Sequence, residues 1–346
     1  MRTLPKAAFE KELLPVVRQG FTNPFPSSTV KQLKTYAKTQ VNPLVPNERG
    51  CKLELSLCIT IRNEQESIVS LVESLLAQSR PPNEIIAVDG GSTDGTSELL
   101  HTYAARQARL RVIALEEANI AEGRNIAIAN ARYDYIASAD GGVEYPKSWL
   151  ANLVRPLEVN PDVDVVSGYF EAKPKTFFEE CVKAVLYPTR SLVDWNKFLP
   201  SCRSVAFKRK VWEDLGGYAE WLPHGIGEDT HFFLRARKAG YKFTYASDAT
   251  CYWRPRRNFS EVFKQYFYYT KGTFISGSGS TIVFEAFGAN PLTFTAKNLI
   301  CLIQKRKLLH FCLSVLILAV VAIAKVTGCI AGLVERRRVS PLKKNS

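Results

Sequence analysis

The chain has 346 residues, with 46 Lys and Arg against 33 Asp and Glu, a formal charge of +13 at pH 7, and it is long enough to bury one large core and carry appendages. The basic excess lies at the two ends: residues 1–50 hold eight basic against three acidic residues, residues 301–346 nine against one, and residues 51–300 balance at 29 each. A neutral body argues against a nucleic-acid partner, which would require the excess on the folded surface itself, whereas basic ends beside apolar sequence suit anionic lipid.

Residues 1–50, rich in Pro and Lys, read as a loosely ordered basic N-terminal extension; Ala7 to Arg18 suggests one short amphipathic helix, interrupted by Pro15. The first 20 residues contain no apolar core long enough for a signal peptide. Eight cysteines form no Cys-x-x-Cys pair, and Cys58, Cys312 and Cys329 sit in apolar runs, as expected of small hydrophobes in a reducing compartment.

The body spans residues 51–300. Leu55 to Ile61 reads as a strand. Ile68, Val69, Leu71, Val72, Leu75 and Leu76 then recur at helical spacing, with Asn63 and Glu66 in the pattern of a capping box. Pro81 and Pro82 end that helix, and Ile85-Ile86-Ala87-Val88-Asp89 is a second strand closing on a carboxylate. Strand, helix, strand in that order predicts a right-handed crossover and a locally parallel sheet. After the turn-forming Gly90-Gly91-Ser92-Thr93-Asp94-Gly95-Thr96 come a helix to about Arg106, a strand near Val112 to Leu115, a helix from about Ala121 to Ala131, and a strand Tyr135 to Asp140 that again ends on a carboxylate. Further elements are a helix opened by Pro146, a strand from Asp162 to Ser167, and an ambiguous aromatic stretch, 174–200, that suggests an acceptor-side insertion. A short strand Ser204 to Phe207, a helix after Glu228-Asp229, a strand Phe243 to Ala246, and an aromatic helix Phe259 to Tyr269 complete the body.

Residues 301–346 form a hydrophobic membrane segment with basic flanks. Leu308 to Ala324 is 17 residues with only His310 ionisable, and apolar character resumes after Lys325 as far as Val334. That is enough for one tilted transmembrane helix, but Lys305-Arg306-Lys307 before it and Arg336-Arg337-Arg338 after it give no orientation, so an in-plane segment stays open. Gly328 and Gly332 have the spacing of a helix-packing face, for which chance is the expected explanation.

Four motifs in order, Thr60-Ile61-Arg62-Asn63-Glu64, Ala87 to Thr96, Gly123-Arg124-Asn125 and Asp140-Gly141-Gly142, resemble the successive landmarks of family-two glycosyltransferases over roughly Leu53 to Gly272. The resemblance implies an α/β fold of GT-A type, a Rossmann-like, mostly parallel sheet flanked by helices. It further implies transfer of a sugar from a nucleoside diphosphate sugar to an acceptor hydroxyl, on a lipid-linked acceptor or a polysaccharide-precursor glycan, by an inverting enzyme of polysaccharide biosynthesis, with its catalytic domain on the cytoplasmic face of a membrane. A polyprenyl-phosphate sugar synthase, or a non-catalytic nucleotide-sugar-binding module, are the alternatives.

For the donor pocket, an acidic strand end lies where open α/β sheets bind ligands, and the resemblance implies that Asp89 meets the base or ribose. Thr60, Asn63 and Glu64 would line the same crevice, although Glu64 also suits a first helical turn. Asp94 reads equally as cap or ligand, and Arg124 as diphosphate contact or surface residue. An aspartate ending a buried strand is costly unless paired or solvated in a cleft, which favours a ligand role for Asp140. The family's Asp-x-Asp would hold Mg2+ or Mn2+, but here the second carboxylate is replaced by Gly142, leaving a weaker site on Asp140; Glu144 is a less favoured substitute. Glu228-Asp229 matches the family's acidic pair, so the resemblance implies Asp229 as catalytic base and Glu228 as its support, one of the two being expected to cap or to pair with an arginine. His224 and His231 flank that pair as incidental polar residues. Arg254, Arg256 and Arg257 suit a diphosphate or lipid phosphate as well as a solvated basic face. Gln265-Tyr266-Phe267-Tyr268-Tyr269 lacks the Arg-Trp ending of processive members, which argues for single-sugar addition.

Overall fold

The structure, a computed structural model, describes residues 53–187, 190–222, 227–275, 291–304 and 307–339, with side chains from 295 in the helix that starts at 291 and to 336 in the last helix. The N-terminal extension, His224, Lys305 and Arg306 lie outside the described residues. Eight strands form one sheet: β1 (Leu55–Ile61), β2 (Glu84–Asp89), β3 (Leu110–Ala114), β4 (Tyr135–Asp140), β5 (Val143–Glu144), β6 (Val165–Ala172), β7 (Val205–Lys208) and β8 (Phe243–Trp253), in the spatial order β3-β2-β1-β4-β7-β6-β8-β5. The first four are parallel, β7 runs antiparallel to both its neighbours, and β5 antiparallel to β8. Helices α1 (Ile68–Leu76), α2 (Thr96–Ala104), α3 (Ile120–Ala129), α4 (Trp149–Val159), α5 (Phe177–Leu186), α6 (Arg209–Leu215), α7 (Glu228–Lys238), α8 (Phe259–Ile275), α9 (Pro291–Gln304) and α10 (Leu308–Val339) follow.

The central strands are apolar at nearly every position because both faces are covered. On β1, Leu55, Leu57, Ile59 and Ile61 join the core beneath α1 and α4, while Cys58 joins the opposite core with Ala121 and Ile128 of α3 and Phe232 and Phe233 of α7. Alternation of side chains across a strand produces this two-sided burial. The helices after β1 and after β3 therefore lie on opposite faces, and the crevice between the ends of β1, β2 and β4 opens where the winding reverses.

Two expectations are corrected. Asn63 is not a helix cap: Ser67 precedes α1 without a side-chain cap, and Asn63 takes φ 55° to reach across to the next loop. The capping box belongs to α3, where Asn119 accepts from Ala121 and Glu122 backbone N–H groups and the Glu122 carboxylate accepts in return from Asn119 N. Gly328 and Gly332 are a real packing face, because Cβ atoms there would lie 2.5 Å from Phe267 O and 2.8 Å from Lys271 O of α8. Replacing Gly328 with Leu is therefore expected to force α10 off α8 at a cost of about 1–3 kcal/mol, seen as a lower thermal midpoint in detergent; an unchanged midpoint would mean that the two helices do not touch in solution.

Candidate active site

Two loops at the carboxyl ends of β1 and β2 are stitched together. Asn63 N donates to Ser92 Oγ at 2.9 Å and Thr93 N to Asn63 Oδ1 at 2.9 Å; Glu64 N donates to Thr96 Oγ1 and Gln65 N to Asp94 Oδ2. Asp94 accepts on both oxygens, since Oδ1 takes hydrogen bonds from Thr96 N and Oγ1 at the start of α2. Asp89 is buried, and both its side-chain bonds, from Ser92 N and Oγ, go to Oδ1. Thr60 packs beneath α3 at Gly123, where any Cβ would overlap its methyl group, and Thr60 Oγ1 is buried without a hydrogen-bond partner among the described residues.

The register sets Thr60 opposite Asp140 and Ile61 opposite Asp89, so the two aspartates flank the end of β1, about 9–10 Å apart by strand spacing. Tyr145 OH fixes the turn after β4 by accepting from Asp140 N and donating to Arg203 O. Glu64 turns its carboxylate onto Gly141 and Gly142. Burial raises its pKa, as do the neighbouring Asp94 and Asp140, against the opposing hydrogen bond from Ser67 and the charge of Arg256.

Arg124 is the pivot of the site. Its guanidinium, 4% exposed, donates from Nη2 to Asp140 Oδ1 at 2.6 Å, and its Nη1 is ion-paired with Glu228 Oε1 at the start of α7. Burial opposes the charge, yet the surrounding Cys202, Asp140, Asp229 and Tyr218 raise its pKa above the usual arginine value. The expected diphosphate contact is thus an enclosed bridge between two carboxylates. Beside it, Asn125 ties down the segment leading towards α7: its Oδ1 accepts from Trp212 Nε1 and Tyr218 N, and its Nδ2 donates to Tyr218 O and Glu220 Oε1.

Of the acidic pair, Glu228 is the buried one, held by Arg124, and Asp229 is half-buried, its hydrogen bonds from Thr230 N and Oγ1 both going to Oδ1. Asp229 and Asp140 act electrostatically on the same three groups, Arg124, Arg203 and Cys202, so they belong to one cluster.

Arg203 did not stand out in the sequence. It lies over the rings of Phe170 and Trp253, 5.1 and 4.9 Å from their centroids, and is hydrogen-bonded to Tyr269 of α8. Burial opposes its charge, while Tyr269, Asp140 and Asp229 raise its pKa. No local motif marks it, because its partners come from β6, β8 and α8. The basic cluster after β8 divides instead: Arg254 pairs with the wholly buried Glu179 of α5, Arg257 with the exposed end of α8 through Glu261, and Arg256 with Gln265, within electrostatic range of Glu64. His231 packs edge-on to Trp221.

Among the described residues no three His, Cys, Asp or Glu side chains come together as a metal-binding group. Glu144, exposed on β5, pairs with Lys173 at 2.5 Å. A Cβ at position 142 would lie 3.6 Å from both Glu64 carboxylate oxygens, so Glu64 fills the space that a carboxylate at 142 would use. Asp140 with Glu64 fits a hard cation that retains water and takes further ligands from phosphates.

Residues 56–216 match the family described as glycosyl transferase family 2. Glycosyltransferase AglE of Haloferax volcanii is 28% identical over 228 residues, covering 63% of this chain and 72% of the relative. Succinoglycan biosynthesis protein ExoA of Rhizobium meliloti is 27% identical, covering 62% of this chain and 68% of the relative. Among solved structures, mannosyltransferase PcManGT from Pyrobaculum calidifontis, in complex with GDP-Man and Mn2+, aligns with TM-score 0.55 and 20% identity over 89% of this chain and 93% of that one; this likeness shows the fold.

Proposed function

We propose that this chain, whose residues 56–216 match glycosyl transferase family 2 and whose relatives include glycosyltransferases, is an inverting, non-processive glycosyltransferase moving one sugar from a nucleoside diphosphate to an acceptor hydroxyl at a membrane. The observation that carries this reading is the Arg124 bridge, which holds the donor-side Asp140 and the Glu228-Asp229 pair on one guanidinium. Asp89, Thr60 and Asn63 bind the nucleoside in the crevice beside β1. Asp140 faces the sugar and diphosphate, and Arg203, with its charge stabilised by the site's aspartates, meets the diphosphate. A divalent cation, when bound, would be held by Asp140 and Glu64 together with the donor phosphates and would offset the charge of the departing diphosphate.

In the reaction, Asp229 takes the proton from the acceptor hydroxyl, and its Oδ2, unused among the described residues, is the oxygen for it. The acceptor oxygen bonds to the anomeric carbon from the face opposite the diphosphate, the carbon–phosphate oxygen bond breaks, and the configuration inverts. A single addition is favoured by α8, where Tyr269 stands on Arg203 and Gln265 on Arg256 without the Arg-Trp ending of polymerising relatives. The buried free thiols Cys58, Cys181, Cys202 and Cys251 fit the reducing, cytoplasmic face of the membrane.

Transfer assays with nucleoside diphosphate sugars and membrane-extracted glycolipid acceptors test the reading. Binding of donor without turnover across acceptors would replace it with a binding module. Thermal stabilisation addresses the donor and cation directly: a nucleoside diphosphate at about 100 times its Kd is expected to add about 2.7 kcal/mol of stability. Mn2+ is expected to raise the midpoint further in the native protein and not in Asp140→Asn. An equal Mn2+ increment in that variant would remove Asp140 from the cation site.

A further inference from the structure

Helix α10 has two unlike faces. Residues Leu308–Arg336 are long and apolar enough to cross a membrane, yet one face is docked on the catalytic body from end to end. His310 meets the Phe177 ring and Glu180 of α5, Ile317 and Val321 enter the main core, Lys325 lies over Tyr266, and Glu335 pairs with Lys271 of α8. The contacts run from His310 to Glu335, about 38 Å of helix. The two basic groups between Leu308 and Val334, His310 and Lys325, both face this inner side. The outer face carries none. Leu309, Leu316, Ile323 and Ile330, seven residues apart, are 76, 56, 58 and 59% exposed, with Val326 and Leu333 beside them.

Resting on the reading of a membrane-associated enzyme, we infer that α10 is an in-plane anchor: its outer face enters one leaflet of an anionic bilayer, both its ends stay on the side of the catalytic body, and it does not span. A spanning α10 would take its partners to the same depth. Helices α5 and α8 are part of the body's core through Cys181, Val182, Val185 and Val262, and they carry Glu180, Lys183, Lys264 and Lys271, whose burial in hydrocarbon is costly. An apolar stripe on a helix whose other side is already satisfied instead lies about 5–10 Å into the headgroup boundary. Lipid is the occupant because charge marks both ends. Lys307 and Arg336 are exposed there, and Lys305-Arg306 and Arg337-Arg338 adjoin them in the chain. Two copies packed stripe to stripe would bring those like charges together, whereas anionic headgroups match them. Since α8 touches α10 on one side and reaches Arg203 through Tyr269 on the other, the cleft is one helix away from the lipid surface, as access for a lipid-borne acceptor requires.

Two measurements test this on the full chain. In flotation with phosphatidylglycerol–phosphatidylcholine vesicles, Leu316→Glu and Ile323→Glu are each expected to weaken binding about tenfold with the thermal midpoint unchanged. Unchanged vesicle binding, or loss of a dimer in place of loss of binding, overturns the lipid assignment. In sealed membrane vesicles, Lys307→Cys and Arg336→Cys, read above the labelling of the parent chain, are expected to react with a membrane-impermeant maleimide from the same side. Labelling of one from outside and of the other only after permeabilisation means that α10 spans. Transfer to a detergent-soluble acceptor, which these surface variants leave intact, separates failure of the anchor from failure of the sugar-transfer reading.

Discussion

Asp229→Asn is expected to lower kcat for sugar transfer by about 10²- to 10⁴-fold, the usual contribution of a general base, while leaving the fold and donor binding unchanged. The substitution keeps the shape of the side chain and an oxygen for the Thr230 N–H, and it removes the one group at this position able to take the hydroxyl proton. The buried Glu228 does not replace it, because its carboxylate is committed to Arg124. Steady-state rates with a hydroxyl acceptor, alongside thermal shifts with nucleoside diphosphate, are the measurements. Full activity on a hydroxyl acceptor would remove Asp229 as base. Activity retained with a polyprenyl phosphate alone would make the acceptor a phosphate, which needs little deprotonation.

Arg124→Met is expected to destabilise the protein by about 3–5 kcal/mol, because removing one partner of a buried ion pair leaves uncompensated charge behind. Here two carboxylates, 18% and 6% exposed, would be left facing each other. Arg124→Lys is expected to recover only part of the loss, since one ammonium does not reproduce a planar fork that reaches Asp140 from Nη2 and Glu228 from Nη1. Denaturant unfolding of the two variants reads the effect. A midpoint within about 0.5 kcal/mol of the native protein would show that the bridge does not hold β4 to α7, and the coupling of donor and base sides would need another origin.

Most of the parallel half of the sheet was legible because β1, β2 and β4 are short apolar runs ending at turn residues, a pattern set by burial on both faces. The stretch 174–200, ambiguous in the sequence, contains α5, whose Cys181, Val182 and Val185 face the core and whose outer side meets α10. It resisted assignment because the buried face includes the charged Glu179 while the aromatic Phe177 is exposed, so residue type does not follow burial there. Strand β8 runs seven residues past the expected Ala246, as far as Trp253, where it pairs with β6 and β5, and that extension depends on partners distant in the chain. The spacing of Gly328 and Gly332 reads as chance in the sequence for the same reason: two small residues carry little information until the helix they admit is known.

The sequence by itself determined the order of strands and helices from β1 to β4, the carboxylates closing β2 and β4, the missing second acid at Gly142, the acidic pair opening α7 and the apolar, base-flanked tail, since each rests on local spacing and residue type. Only the tertiary structure decided that Arg124 is an enclosed bridge, that Asp94 and Asn63 brace two loops, that Glu64 covers Gly142, that Arg203 belongs to the site, and that α10 lies along the body. Each of these depends on side chains far apart in the chain meeting in the fold, and for Arg124 and Arg203 the meeting is in an interior where a charge must find its partner; the position of that partner is a property of the folded sheet and not of any stretch of sequence.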